Sequence, residues 1–498
     1  MALIDIGSQK QLFADDYLIE SLSSTRQVVN PAEKVEHNPV VRQDRPWEGN
    51  HVCAKTIFFD AEEQRFKMWY TTYWYRVRRE GDDIVVDERF DEYAAQRLCL
   101  ATSNDGVHWE KPELGLVEFD GSKRNNILPE TCLAPRDFGR AYRDSHLIYD
   151  LHDSAERRYK LVMTVYDDEN PGMKLYLFYS PDGFDWTPHA EAPVVDYAPR
   201  RGRWGPMYFM GWDPIRRCYA VHMENNQHFR GPLGKRVVGR AESADFVEWS
   251  EGETILVPDA ADAPDTQFYS MPCIAYEGLY VGLLWNFRVT NLTHHPQLVF
   301  SRDGIHYERK YLDPFIVRGS RGEFDCHNLY AHAPLVHGDR ILTYYNGTNH
   351  RSDVQTLELG DKTTMAVGLA LTPLDGFVSL DGVTGHPPNY EPYPRDIAPY
   401  SQAATRGFRF SGSCLLLNMR AALQYSSAGP CEVRVEILGA NHRRLEGYTF
   451  DDADPLTSTN PAQVATWKGA ADLSALQGKT VRLRFWFKNA RLYSFQFR

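Results

Sequence analysis

Five carboxylates stand at or just before the start of apolar runs: Glu48, Asp144, Asp265, Glu323 and Asp325. Cleaving a glycosidic bond takes two carboxyl groups facing each other across it, one protonated as acid and the other ionised as nucleophile or base. Asp144, next to Arg143, is expected to stay ionised, which suits orientation or stabilisation of positive charge in a transition state. Glu48, behind Trp47 and beside an apolar run, is set for a raised pKa or for the base. The same run starts carry the side chains that sugar sites use. Gln267, Asn328 and Tyr269 offer hydroxyl recognition, Trp47, Trp204 or Trp285 a stacking floor, Tyr208 a further substrate contact, and His51, His146 and His327 sugar contacts.

Three histidines on separate runs could also hold a metal, but the spacing carries no ligand signature, so neither metal nor cofactor is expected. Arg45, Arg143, Arg203 and Arg321 stand at or near four run starts. Planar guanidinium forks suit bidentate capture of carboxylate or sulfate, which points to an acidic or sulfated sugar.

These residues lie far apart in the chain, so only a repeating architecture brings them together. The phrase SNDGVHW at Ser103 to Trp109 returns as SPDGFDW at Ser180, as SADFVEW at Ser243 with its glycine lost, and as SRDGIHY at Ser301. A worn copy, Leu374 to Phe377, makes a fifth. Each copy follows three alternating or wholly apolar runs, the pattern of strands, with almost no helical periodicity. The physical role of the phrase is local: Asp accepts hydrogen bonds from the amides after it, Gly supplies a positive φ, and the closing aromatic packs between neighbours. Its aspartates (Asp105, Asp182, Asp245, Asp303) therefore read as turn formers, not catalysts.

Five such cycles predict a five-bladed β-propeller over residues 35–380, whose inner strands start around one axial channel. Residues 1–34 are expected to close the ring, with Gln11 to Ile19 as the strand that completes the last blade. Residues 381–498, rich in long alternating runs such as CEVRVEIL and VRLRFWFK, predict a β-sandwich of structural or sugar-binding role.

With these features the chain resembles the five-bladed propeller glycoside hydrolases, family 32 in layout and family 43 more distantly. The similarity spans nearly the whole chain as architecture. At residue level only Arg143-Asp144 matches the family 32 Arg-Asp-Pro segment, and Ser145 stands in place of the proline. The resemblance implies a transition-state stabiliser at Asp144. Trp47-Glu48-Gly49-Asn50 stands where the family's nucleophile segment belongs, and there is no Glu-Cys acid segment.

Composition narrows the partners. A net charge of −12 without a Lys/Arg run disfavours nucleic acid and anionic membranes. Eight scattered cysteines without a CxxC pair read as buried thiols. The N-terminus has neither a basic nor an apolar leader region, so a soluble cytoplasmic protein is expected, or a secreted one had a signal peptide been removed. The sequence thus predicts an all-β glycoside hydrolase acting on a carbohydrate at the propeller axis. The alternatives on the same fold are a catalytically silent carbohydrate-binding propeller and a glycoside phosphorylase or lyase.

Overall fold

Runs of alternating Val, Ile, Leu, Tyr and Phe become strands throughout the computed structural model, which describes residues 4–86, 96–132, 142–166, 173–197, 204–225, 234–350, 359–382, 400–421 and 431–498. Besides strands, the regular structure among them is short 3-10 turns, and no helix there is long and apolar enough to cross a membrane. The protein is all-β.

Five antiparallel units follow one another. The first orders His51–Asp60, Arg65–Tyr73, Arg97–Ser103 and Trp109–Glu110 from the inside outward. The second starts with Tyr142–Tyr149 and the third with Trp204–Asp213. In the fourth and fifth the inner strand is broken, into Thr266–Phe268 with Cys273–Tyr276 and into Asn328–Ala331 with Leu335–His337. Each break contains a proline, Pro272 or Pro334, which cannot donate to a ladder. Neighbouring units touch in cyclic order, first to second, second to third, onward to the fifth, and the fifth returns to His51–Asp60. This closed order is that of five blades around an axis.

The recurring phrase does what its residue types dictate. Ser103 Oγ accepts Gly106 N–H at 2.9 Å and Asp105 Oδ1 accepts the amides of Val107 and His108, both at 2.8 Å. Asp182, Asp245 and Asp303 repeat the bonds. A Cβ on Gly183 would stand 1.9 Å from the Trp69 ring of the preceding blade, so the glycine is required by contact as well as by φ. In the third copy Phe246 takes the glycine's place at φ 66° and drives its own ring into the core.

Apart from a two-stranded hairpin, Val77–Glu80 with Asp83–Val86, the remaining strands form two six-stranded sheets around a shared core. Phe485 of one sheet and Phe495 of the other meet at 5.8 Å, with Phe13 wedged against both. The N-terminal strands join these sheets: Gln11–Leu12 pairs with Ala490–Phe497, Ile19–Ser23 with Ser401–Thr405, and Thr25–Val29 with Val378–Gly382. The strand that completes the fifth blade is Glu33–Lys34, against Met365–Pro373, and not Gln11 to Ile19. The reason is hydrophobic: Gln11 to Ala14 lie buried, Phe13 between the two sheets, while Glu33–Lys34 is a polar edge suited to a blade's rim.

The worn fifth phrase has changed its work. Asp375, buried at φ 62°, sends its carboxylate away from its own turn. It accepts from Lys10 at 3.1 Å, from the Tyr276 hydroxyl, from Asn418 Nδ2 at 2.9 Å and from Ser494 Oγ at 2.6 Å. One carboxylate thereby ties the fourth and fifth blades to the sheet that holds Leu415–Ala421 and Ala490–Phe497.

Two outcomes follow. Asp375→Asn, which tolerates the positive φ but points an amide at donors, is expected to lose about 3 kcal/mol in urea unfolding, the range for removing one partner of a buried ion pair. Burial, aided by nearby arginines or lysine, holds His222 and His294 down at about 3 and His295 and His332 at about 4. The unfolded chain, with histidines near 6.5, takes up protons that the folded chain refuses, so this contribution to stability is full above pH 6.5 and is lost as pH falls towards 4. The midpoint of thermal unfolding should drop steadily between pH 7 and pH 5.

Candidate functional site in the axial channel

Where the five inner strands converge, a cavity of about 430 Å³ remains. Its walls come from every unit: Cys53 to Phe58 from the first, Asp144 and His146 from the second, Tyr208 from the third, Trp285 from the fourth, Tyr330 and His332 from the fifth.

Asp144 lines it with 43% of its side chain open, although protein surrounds it on all sides. Lys55, two residues along from Cys53 on the first inner strand, places its Nζ 2.7 Å from Asp144 Oδ1, and Ser145 N–H donates to the same oxygen at 2.8 Å. Burial pushes the Asp144 carboxyl up, but Lys55, His146 and the hydrogen bonds together prevail and hold it below the usual carboxylate range. His146 is itself kept low, by burial first and then by Lys55 against the pull of Asp144. The result is an ionised carboxylate beside a lysine and a neutral imidazole in a walled space.

Tyr208 accepts the Ala333 N–H at 3.2 Å, and burial pushes its phenol up to about 12. Trp285 donates its indole N–H to the Ala331 carbonyl at 2.9 Å and meets Tyr330 edge-on at 5.3 Å. His332 Nε2 accepts from Asn346, whose amide is held by the Ala54 backbone on the first strand. Lys55, His332 and Asn346 escaped the sequence reading. Lys55 and Asn346 sit inside apolar runs instead of at their starts, and His332 lies in the proline-bearing break of the fifth inner strand.

The other four candidate carboxylates do not line this cavity. Glu48 is fully buried: it accepts the amides of Asp44 and Arg45, the Tyr70 hydroxyl at 2.7 Å and Lys111 at 2.7 Å, welding the entry loop to the first blade. Asp265 pairs with Arg288 at 2.7 Å and accepts from Thr290; Arg288, then Thr290, hold its carboxyl well below the usual range. Glu323 caps its own turn through Ser320 N–H at 2.6 Å. Asp325 is buried against Lys34 at 2.5 Å and the Tyr345 hydroxyl at 2.8 Å, fastening the closing strand to the fifth blade.

Of the proposed sugar-binding residues, His146, Tyr208 and Trp285 line the cavity. Trp47 instead bonds Asn126 at 3.0 Å on the first blade's flank. Gln267 accepts from Arg236 at 2.7 Å, and that guanidinium lies 5.1 Å over Tyr269. Asn328 is spent on His294, Thr348 and His350. His51 is buried, with Nδ1 2.7 Å from Asn50 Oδ1 and Nε2 3.0 Å from His350 Nε2. His327 donates its backbone N–H to Thr348, next to Asn328. The side chains of Arg143 and Trp204 and all of Arg203 lie outside the described residues, Arg45 is half-exposed beside Asp44, and Arg321 is exposed, so no guanidinium ring is assembled from the described residues. No three metal-ligating side chains are grouped among them either.

No family model matches the chain, and no curated protein matches it. Among solved structures, the chain is similar to an N-acetylgalactosamine deacetylase from F. plautii in complex with blood group B trisaccharide, at 16% identity and TM-score 0.45, over 71% of this chain and 97% of that one. It is also similar to a β-1,2-mannobiose phosphorylase from Listeria innocua, at 12% identity and TM-score 0.42, over 68% and 96% of the two chains. A third, described with the GH130 family of mannoside phosphorylases that contains glycoside hydrolases, is 15% identical at TM-score 0.39, over 73% and 96%. The propeller itself rests on the strand pairing and ring closure above, not on these likenesses.

Proposed function

We propose that this protein is a carbohydrate-processing enzyme that cleaves a glycosidic bond in the axial cavity, with Asp144 as its working carboxylate. The observation that carries the proposal is that Asp144, of the five candidates, is the one lining a cavity of sugar-binding size, ion-paired to Lys55 and faced by Trp285 and Tyr330. Held ionised, Asp144 suits the base, or the group that stabilises an oxocarbenium-like transition state. The arginines that suggested an acidic sugar do not gather there, so the proposal carries no preference for one.

Hydrolysis needs a second carboxyl facing Asp144. Phosphorolysis does not, because an attacking hydrogen phosphate is itself the nucleophile, forming its bond to the sugar carbon as the glycosidic bond breaks and giving up the proton that the leaving oxygen takes, and a cation such as Lys55 would attract it. The single carboxylate lining the cavity among the described residues favours phosphorolysis as the second reading. Turnover of a disaccharide pool that rises with added phosphate and yields a sugar phosphate selects it, and turnover indifferent to phosphate selects hydrolysis.

Asp144→Asn is expected to lower turnover about a thousandfold while sugar binding persists; an unchanged rate would remove Asp144 from the mechanism, and binding with no turnover in the unsubstituted protein would leave a silent binding propeller. Lys55→Met raises the Asp144 pKa, so the acid limb of the pH–rate profile should move up by about one to three units. Glu48→Gln tests the opposite placement: turnover per folded molecule should hold, with about 2 kcal/mol lost in chemical unfolding as a buried network loses its charge.

A further inference from the structure

One histidine of the cavity wall has its tautomer fixed by a neighbour. Asn346 grips the Ala54 backbone with both ends of its amide, Oδ1 accepting the N–H at 2.9 Å and Nδ2 donating to the carbonyl at 3.2 Å. Turning that amide over would set an NH2 against an N–H and a carbonyl against a carbonyl. Nδ2 is therefore also the group that faces His332 Nε2, at 3.2 Å, and Nε2 must accept. A neutral imidazole carries one proton, so here it lies on Nδ1. Burial first, and then the Lys55 ammonium, hold the ring neutral, down at about 4.

The Nδ1–H that results meets no acceptor among the described residues, and the atom is open to solvent, not sealed in the packing. His332 is part-exposed and lines the axial cavity. It stands there because the fifth inner strand breaks after Ala331 and Pro334 cannot rejoin the ladder, which leaves His332 held by its backbone N–H on the Tyr344 carbonyl at 2.8 Å. The charge of Lys55 lowers both His332 of the fifth blade and His146 of the second, so these rings share one polar corner with Asp144. Asp144 spends Oδ1 on Lys55 and Ser145, and its Oδ2 makes no hydrogen bond among the described residues.

We propose that His332 is a specificity-determining residue of the axial cavity, its Nδ1–H donating a hydrogen bond to one ring-hydroxyl oxygen of a pyranose seated against Asp144. This rests on the carbohydrate reading above and adds to it the hydroxyl that the fifth blade reads. Asp144 keeps Oδ2 for the reacting centre, and His332 fixes the ring that presents it. Because the protein group is a donor, it selects a sugar with an acceptor at that position over the deoxy sugar.

The test uses the unsubstituted chain and free hexoses, which have no glycosidic bond to cleave. D-Glucose, D-galactose and D-mannose are titrated by calorimetry in phosphate-free buffer, and the tightest binder is followed through its monodeoxy and deoxyfluoro derivatives. At one position the deoxy sugar should bind about tenfold more weakly, and the deoxyfluoro sugar, which keeps a weak acceptor but no donor, should fall between the two. In His332→Phe that difference should vanish while the other positions keep theirs, and His332→Asn, whose amide N–H stands near the place of Nδ1, should recover part of it. In 15N spectra of the free protein at pH 7 Nδ1 should be protonated and Nε2 bare, and the Nδ1 resonance should move with the sugar and stay still with the critical deoxy form. A proton on Nε2 instead, equal deoxy losses in the unsubstituted and His332→Phe proteins, or an Nδ1 resonance that answers inorganic phosphate and no hexose would overturn the assignment. Should none of the hexoses bind, the carbohydrate reading falls and this inference with it; should they bind and discriminate through His332 in a protein that turns over no glycoside, the inference stands and only the cleavage reading falls.

Discussion

Closing a ring of twisted sheets is the constraint on which the rest of this structure depends. Each blade brings an inner strand to the axis, and five strands around an axis cannot fill the centre with side chains from one element alone. What is left is a space whose wall is shared by all blades. The same closure requires a last contact between the beginning and the end of the repeat, and the chain makes it with Glu33–Lys34 against Met365–Pro373, secured by Lys34 on Asp325. The two six-stranded sheets then grow from what flanks the ring, which is why the first thirty residues and the last hundred share one core.

Buried carboxylates do most of the joining. At the end of the third inner strand Asp213 holds Arg240 at 2.6 Å and receives the Tyr280 hydroxyl of the next blade at 2.7 Å; at the end of the second, Asp150 holds Lys160 at 2.6 Å and receives Tyr219 from the third at 2.9 Å. Asp375 and Glu48 do comparable work at the sheet junction and the entry loop. Such pairs specify which neighbour goes where more than they add stability, because desolvating both charges offsets much of the attraction. Against this background the Lys55–Asp144 pair differs in one physical respect: its carboxylate opens onto a cavity instead of being enclosed by donors. Openness, not the presence of charge, sets the carboxylate proposed to work apart from the carboxylates that join.

The strands, the turn phrase and the number of repeats were legible because they are local: alternation makes a strand, and Ser-x-Asp-Gly makes a turn, whatever lies across from it. The turn aspartates spend an oxygen on the amides that follow them, as that local reading expects. The rule that chemistry sits where inner strands begin named Asp144, His146 and Tyr208, which line the axial cavity together with Trp285, named for its ring alone. It also named Glu48, Asp265, Glu323 and Asp325, whose partners Lys111, Arg288, Ser320 and Lys34 turn them into caps and joints.

By itself, then, the sequence determined the all-β class, the repeating unit and the conformations of its turns, since each depends on residues within a few positions of one another. Tertiary structure alone decided which carboxylate faces the axis, because whether a charged group is capped or open is settled by donors up to hundreds of positions away, as with Asp325 and Lys34 or Asp144 and Lys55. It also decided that the N-terminal strands leave the ring for the sheets, and that His294 keeps a buried nitrogen with no hydrogen-bond partner among the described residues. That last feature follows from Asn328, Thr348 and His350, three residues with no local tie to it, converging on one amide.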